Sequence, residues 1–287
     1  MSFVRRAIAL PGRGHGSISY LDFGNPDRPV DLVFMHATGF NALTYRRLIE
    51  PMPEIRVLVV DQRGHGFTTL PTPSESLRNW FEFRDDLVNF LTLLDLQRVV
   101  LSGHSMGGTV SLFAAVEAPE RVSRLVLLDP VVPPIDRRIL PGDAPPPISA
   151  AAARRRADYP DRQTAIAAYT GRGAFTTWPE EILADYVDGG FVDLRTGGVT
   201  LTCRPQWEAA TFAAQDHDAW AAFHQSVCPI RILRAESEST CGVNESSSEL
   251  TDSGRISIET VPATSHFVPM ERQELCRAAL MSAIAAR

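Results

Sequence analysis

The chain has 287 residues, 44% hydrophobic and 22% charged, and 28 Lys and Arg against 34 Asp and Glu give a net charge of −6. That length predicts one large domain or one domain carrying an insertion, and the balance excludes a wholly disordered chain and a broad basic face for nucleic acid. No apolar run approaches the roughly 20 residues that cross a bilayer, and the start, MSFVRRAIALPGRG, lacks a signal-length apolar stretch and a small-residue cleavage site, so a cytoplasmic protein with no membrane partner is expected. Residues 3–10 and 17–23 read as strands, followed by a turn cluster at Gly24, Asn25, Pro26 and Asp27. Residues 30–36 (VDLVFMH) are a short apolar run, residues 42–52 are helix-like, and residues 55–61 (IRVLVVD) form a β-branched run. Over residues 77–96, Phe83, Leu87, Phe90, Leu91 and Leu94 mark one helix face. A strand at 98–102, a helix at 106–118 and a strand at 124–129 (RLVLLD) continue the alternation. Continuous apolar strands alternating with helices predict an α/β fold: a mostly parallel central sheet with helices on both faces, antiparallel at its start.

The rhythm then breaks. Residues 131–147 hold Pro133, Pro134, Pro141, Pro145, Pro146 and Pro147, and the next sheet-type strand is 229–234 (PIRILR). The interval of roughly 95 residues far exceeds an ordinary connection of about 4–6. It carries helical stretches at 150–157, 164–169, 180–187, 207–214 and 219–225, and a possible hairpin at 191–202 turning at Gly197 and Gly198. The organisation predicted is a core of residues 1–130 and 228–287, with residues 131–227 as an inserted, mostly helical cap. A last strand at 256–261 and a helix at 271–286 close the core. The four cysteines, Cys203, Cys228, Cys241 and Cys276, form no C-x-x-C pair and read as free thiols.

Chemistry enters at Gly103-His104-Ser105-Met106-Gly107-Gly108, which contains G-x-S-x-G between a predicted strand and a predicted helix. That setting puts Ser105 on a sharp turn where glycines are needed for close packing. A serine hydroxyl needs a base, and His266, in the loop after the last strand, stands where a parallel sheet binds its ligands. The base needs an acid to fix its tautomer. Glu236 and Glu238, after residues 229–234, and Asp129, at the end of the strand before the insertion, are all candidates. A developing oxyanion needs donors: the amide of Met106, at a helix start, and that of Thr38, in the small-residue loop His36-Ala37-Thr38-Gly39-Phe40. No metal spacing, P-loop or dinucleotide fingerprint is present, so no metal or cofactor is expected.

These motifs resemble those of the α/β-hydrolase superfamily. MHATGF is similar to its oxyanion loop, DQRGHG (residues 61–66) to the motif after its fourth strand, GHSMGG to its nucleophile elbow and SHFVPME to its histidine loop. The likeness runs from about Phe3 to the C-terminus, with the cap only loosely alike. It implies the order Ser…Asp/Glu…His, and hence a triad of Ser105, Glu238 and His266. Glu238 is taken as the acid because it lies between nucleophile and base and far enough past its strand to turn back. The sequence departs from the usual pattern in Ala37, where Gly is common, and in Glu238, where Asp is commoner. His36 and His65 fall in loops used structurally, and His104 is the variable residue of the elbow.

Of the cap aromatics, Trp178, Trp207 and Phe212 are expected to line the substrate pocket. Arg137, Arg138 and Arg154–Arg156 read as solvated helix faces. The resemblance implies a serine hydrolase acting on a small-molecule carboxylic ester, lactones included, through an acyl-enzyme. Carbon–carbon bond hydrolysis, amide hydrolysis and perhydrolysis share the triad, and a ligand receptor on the same fold is the alternative outside enzymology. Dehalogenase and epoxide hydrolase chemistry is disfavoured, since those relatives carry Asp at the position of Ser105.

Overall fold

The computed structural model describes residues 3–135 and 144–287. Strands β1 (Phe3–Ala9), β2 (Ser17–Phe23), β3 (Leu32–Met35) and β4 (Val57–Asp61) precede β5 (Val99–His104) and β6 (Val122–Leu128). Between them lie helices α1 (Arg46–Ile49), α2 (Phe81–Leu93) and α3 (Met106–Glu117). After the insertion come β10 (Ile230–Ala235), α9 (Ser248–Thr251), β11 (Ile256–Val261), α10 (Val268–Glu271) and α11 (Gln273–Ala285). The insertion itself holds α4 (Pro147–Ala153), β7 (Asp158–Tyr159), α5 (Arg162–Tyr169), α6 (Glu180–Gly190), β8 (Phe191–Asp193), β9 (Val199–Leu201), α7 (Pro205–Ala213) and α8 (Ala219–Gln225).

One sheet runs in the order β1-β2-β4-β3-β5-β6-β10-β11. Only β1–β2 and β2–β4 pair antiparallel, and each later neighbour is parallel. The central strands are buried on both faces, which is why they read as unbroken apolar runs. One face packs on α2, α3 and α8 through Phe83, Leu87, Phe90, Val110 and Phe223. The other packs on α1, α11 and the insertion through Tyr45, Leu48, Leu280, Tyr186 and Phe191. All strand ends that follow a parallel crossover therefore point the same way, and the loops leaving β3, β5, β6, β10 and β11 gather at one edge.

Several expected elements are shorter than their periodicity suggests. The helix expected over residues 42–52 is a 3₁₀ turn (Ala42–Tyr45), capped by the Asn41 side chain on the Thr44 amide, followed by α1, and Pro51 limits it. The helix expected over residues 271–286 breaks at Arg272 into α10 and α11. In the insertion the hairpin forms as β8–β9, and β7 joins it in a small antiparallel sheet. The four cysteines are free and buried. Arg137, Arg138 and Pro141 lie outside the described residues.

Insertion and core are joined by specific bonds. The indole N–H of Trp207 donates to Arg63 O at 3.0 Å, that of Trp80 to Thr211 O at 2.9 Å, and the Asn41 amide to Tyr186 O at 2.9 Å. None of the described helices is long and apolar enough to cross a membrane.

Candidate active site

Ser105 sits between the end of β5 and the start of α3 with φ 57° and ψ −125°, a region L-residues rarely enter unless the surroundings force them to. The forcing agent is close packing. A Cβ on Gly103 would meet the Gly107 carbonyl carbon at 2.3 Å, and one on Gly107 would meet Met35 O at 2.3 Å. Only glycines let α3 start this close to β3 and β5, and the turn lifts the Ser105 side chain into the cleft above the sheet.

His266 leaves the loop after β11 and reaches Ser105: its Nε2 lies 3.0 Å from Oγ. Its Nδ1 lies 2.6 Å from Asp129 Oδ2. A carboxylate can only accept here, so Nδ1 carries the proton and Nε2 is free to accept from the serine. Asp129 immediately follows β6, with φ 41°, and is fully buried. Its oxygens also accept from the Ala235 amide at 2.8 Å, the Ser239 hydroxyl at 2.6 Å and the Thr240 amide at 3.0 Å. Burial pushes the Asp129 carboxyl up, but the hydrogen bond and charge of His266, with the bonds from Ser239 and Ala235, outweigh it and hold the group below the ordinary carboxylate range.

This overturns the expectation for the acid. Glu238 is exposed, in a left-handed turn at φ 51°, and Glu236 accepts from the Ala263 amide instead. The loop after β10 does reach the site, but it contributes Ser239 and Thr240 as donors to Asp129. The carboxylate comes from just after β6, which lies between β5 and β10 in the sheet. Asp129 and Glu238 both lie between Ser105 and His266 in the chain, so chain order alone does not choose between them.

The loop after β3, which carries Thr38, is held by two buried histidines. His36 Nε2 accepts from the Gln62 amide at 2.9 Å, so its Nδ1–H donates to Ala37 O at 2.8 Å. His65 Nε2 accepts from the Gly39 amide at 3.0 Å, and its Nδ1–H donates to Arg63 O at 2.9 Å. Burial pushes His36 down to about 4 and, with the nearby charge of His36, pushes His65 down to about 3, so both stay neutral. Each bond fixes one of the peptide planes flanking Thr38: a trans peptide whose carbonyl is tied down has its N–H aimed the other way. The amides of Ala37, Gly39 and Phe40 are committed to Tyr45 Oη, His65 Nε2 and Ala37 O. Met106 begins α3, where a helix leaves its amides without intrahelical acceptors.

A cavity of about 320 Å³ opens onto Ser105 and His266. Its walls are Ala37, Phe40, Phe175, Phe212 and Phe267, with Ile148, Ala151 and Ala152 from α4. Phe212 lines it. Trp178 and Trp207 do not. Trp178 stands behind the wall, edge-on to Phe40 at 5.1 Å and to Phe175 at 4.9 Å, and Trp207 anchors α7 to the core. Sequence reasoning also missed Arg155, read as solvated. It lines the cavity, with Nη1 3.1 Å from both Glu208 carboxylate oxygens and Nη2 facing the hydroxyls of Tyr169 and Tyr186. A larger cavity, about 450 Å³, lies where β6, β10 and β11 begin, away from Ser105.

The family model described as the alpha/beta hydrolase family matches residues 32–279, so the chain belongs to the alpha/beta hydrolase family. Among curated relatives, it is 35% identical over 129 residues to a 2-hydroxy-6-oxo-2,4-heptadienoate hydrolase of Pseudomonas putida, covering 43% of this chain and 44% of that one. It is 32% identical over 110 residues to Lipase LipV of Mycobacterium tuberculosis, covering 37% and 40%. The chain thus spans less than half the length of each. Among solved structures, an E-2-(acetamidomethylene)succinate hydrolase aligns over 99% of this chain and 100% of its own, with a TM-score of 0.79 at 21% identity, a likeness of fold.

Proposed function

We propose that this chain is a serine hydrolase that cleaves a small carboxylic ester, lactones included, through an acyl-enzyme. The observation that carries the reading is the continuous chain Ser105 Oγ, His266 and Asp129, at 3.0 and 2.6 Å, on a strained elbow facing an apolar cavity. His266 Nε2 takes the Ser105 proton as Oγ attacks the carbonyl carbon, and Asp129 stabilises the imidazolium that forms. The amides of Thr38 and Met106 receive the negative oxygen of the tetrahedral intermediate. Its collapse breaks the C–O bond, and His266 protonates the departing alkoxide. His266 then deprotonates a water, whose oxygen attacks the acyl carbon, and returns that proton to Ser105 Oγ as the acyl C–O bond breaks and the acid leaves.

The ester reading is favoured by the cavity wall. Arg155 is matched by Glu208 and capped by two tyrosine hydroxyls, so the pair adds no net charge to a lining that is otherwise aromatic and aliphatic. Such a wall suits a neutral acyl group, and the volume falls at the small end of the ligand-pocket range of about 300–1,000 Å³. The relative named for 2-hydroxy-6-oxo-2,4-heptadienoate supports a second reading, carbon–carbon bond hydrolysis by the same triad. A fluorophosphonate should label Ser105, and p-nitrophenyl esters of short and medium acids should turn over faster than a 2-hydroxy-6-oxodienoate. Labelling with turnover of the dienoate alone would assign the second reading, and no labelling at Ser105 would reject both.

A further inference from the structure

His104 precedes the nucleophile and has no place in the steps above, yet its ring is fully buried with both nitrogens engaged. Nε2 lies 2.8 Å from the backbone carbonyl of His266. A carbonyl only accepts, so Nε2 carries the proton and Nδ1 is the acceptor. The Tyr45 hydroxyl, 2.8 Å from Nδ1, must then donate to it. That leaves the Tyr45 oxygen to accept from the Ala37 amide at 3.1 Å. Every direction in the chain is therefore set: Ala37 N–H to Tyr45, Tyr45 O–H to His104, His104 N–H to His266 C=O. One end is the oxyanion loop, one peptide before the plane that presents Thr38, and the other is the backbone of the residue whose ring meets Ser105.

We propose that Tyr45 and His104 are positioning residues that hold the oxyanion loop and the His266 loop in register, so that the oxyanion donors and the base converge on one substrate carbon. The inference rests on the serine hydrolase reading. Its physical basis is that the two loops follow different strands, β3 and β11, at well-separated places in the sheet, and without a link each would move on its own. His104 suits the task because burial, reinforced by the nearby charge of His266, pushes it down to about 3, so it stays neutral. A second cation would otherwise oppose the imidazolium forming on His266, whose ring centroid is 4.8 Å away.

The test is the second-order rate at which a fluorophosphonate labels Ser105, read beside kcat and KM for one p-nitrophenyl ester. Tyr45→Phe removes one oxygen and should slow labelling and kcat about 10-fold with KM within about twofold. His104→Leu should cost at least as much. His104→Gln, whose amide can still donate to the His266 carbonyl, should recover part of the loss. Because the chain acts in series, Tyr45→Phe combined with His104→Leu should label no more slowly than His104→Leu alone. Phe34→Leu, a cavity beside the Tyr45 ring but off the chain, should lower Tm while leaving the labelling rate in place. Wild-type labelling by Tyr45→Phe, or losses that multiply in the double variant, would overturn the proposal. If His104→Leu does not fold, Tyr45→Phe decides alone. An unlabelled wild type would bring down the hydrolase reading first, and is recognised by needing no variant.

Discussion

Core and insertion line one cavity by different means. On the core side, the atoms around Ser105 are fixed by hydrogen bonds at strand ends: four donors surround Asp129, and buried histidines pin the peptide planes beside Thr38. On the insertion side the wall is made of aromatic and aliphatic packing, with one ion pair, Arg155–Glu208. Hydrogen bonds are directional and hold atoms to fractions of an ångström, as bond making requires. Apolar packing holds volume, which suits selection among substrates. On the proposed hydrolase reading, we expect the chemistry to lie with the core and the choice of substrate with the insertion.

The sharpest way to break that division is at Ser105. Ser105→Ala should reduce kcat on the order of 10⁶-fold with ester KM little changed. A folded alanine variant that turns over esters at a near-normal rate would remove the core from the chemistry altogether.

The acid comes next in size. Asp129→Asn should cost roughly 10⁴-fold in kcat, because the amide favours the wrong imidazole tautomer, whereas Glu238→Gln should stay within about twofold, being exposed. Steady-state kinetics on the two variants side by side decide between them, and the reverse ranking would return the acid to Glu238.

That pair of residues also shows what was legible in the sequence. The elbow, the His266 loop and the loop after β3 are local motifs: each is defined by residues within a few positions of itself, so the sequence carries them. Asp129 differs because it and Glu238 both precede His266 in chain order, and only the folded distance to Nδ1 decides between them. Followed by Pro130 at the entrance to the insertion, it reads as a turn former. The insertion shows the same limit. Its helices could be read from periodicity, but Trp207 and Phe212 sit five positions apart in or beside one short helix, and only tertiary placement sends one to the core and the other to the cavity. Arg155 sits in a run of three arginines that reads as solvated until Glu208, 53 residues on, is folded against it.

The ion pair offers a break on the insertion side. Arg155→Met should destabilise the protein by about 3–5 kcal/mol, because it leaves Glu208 buried without its counter-charge, and Arg155→Met with Glu208→Leu should recover most of that loss. Urea denaturation of both variants provides the measurement. Equal destabilisation by the double variant would mean that shape, rather than charge, holds this wall.

A smaller effect is expected at Phe212. Phe212→Ala enlarges the cavity, and the preference among acyl chain lengths should shift toward longer acids by about 10-fold in kcat/KM, within the range of one or two methylene contacts. Ser105 labelling should be unchanged. A slower labelling rate with unchanged acyl preference would place Phe212 with the chemistry and blur the division.

The smallest effect tests the seam itself. His217, which follows α7, packs its ring on Trp80 at 4.7 Å and on Phe113 at 5.2 Å, so a half-buried residue of the insertion packs on core aromatics. Burial pushes its pKa down from 6.5 to about 4. The sign follows from proton counting. Below pH 6.5 the unfolded chain binds a proton on this imidazole that the folded chain does not bind until about pH 4, so unfolding takes up a proton and stability falls with acidification. The contribution is fully present above about pH 6.5 and is lost between there and pH 4, at up to about 1.4 kcal/mol per pH unit. His36, His65 and His104, pushed down to about 4, 3 and 3, act in the same direction over overlapping ranges. His217→Leu should therefore flatten the fall in unfolding free energy between pH 6.5 and 4 by about one proton, leaving the other three in place, with ester turnover at pH 7.5 unaltered. Urea titrations at half-unit steps of pH would show it. An unchanged slope would mean that His217 already takes up its proton in the folded protein, which requires the seam between insertion and core to open to water while the rest of the molecule stays folded.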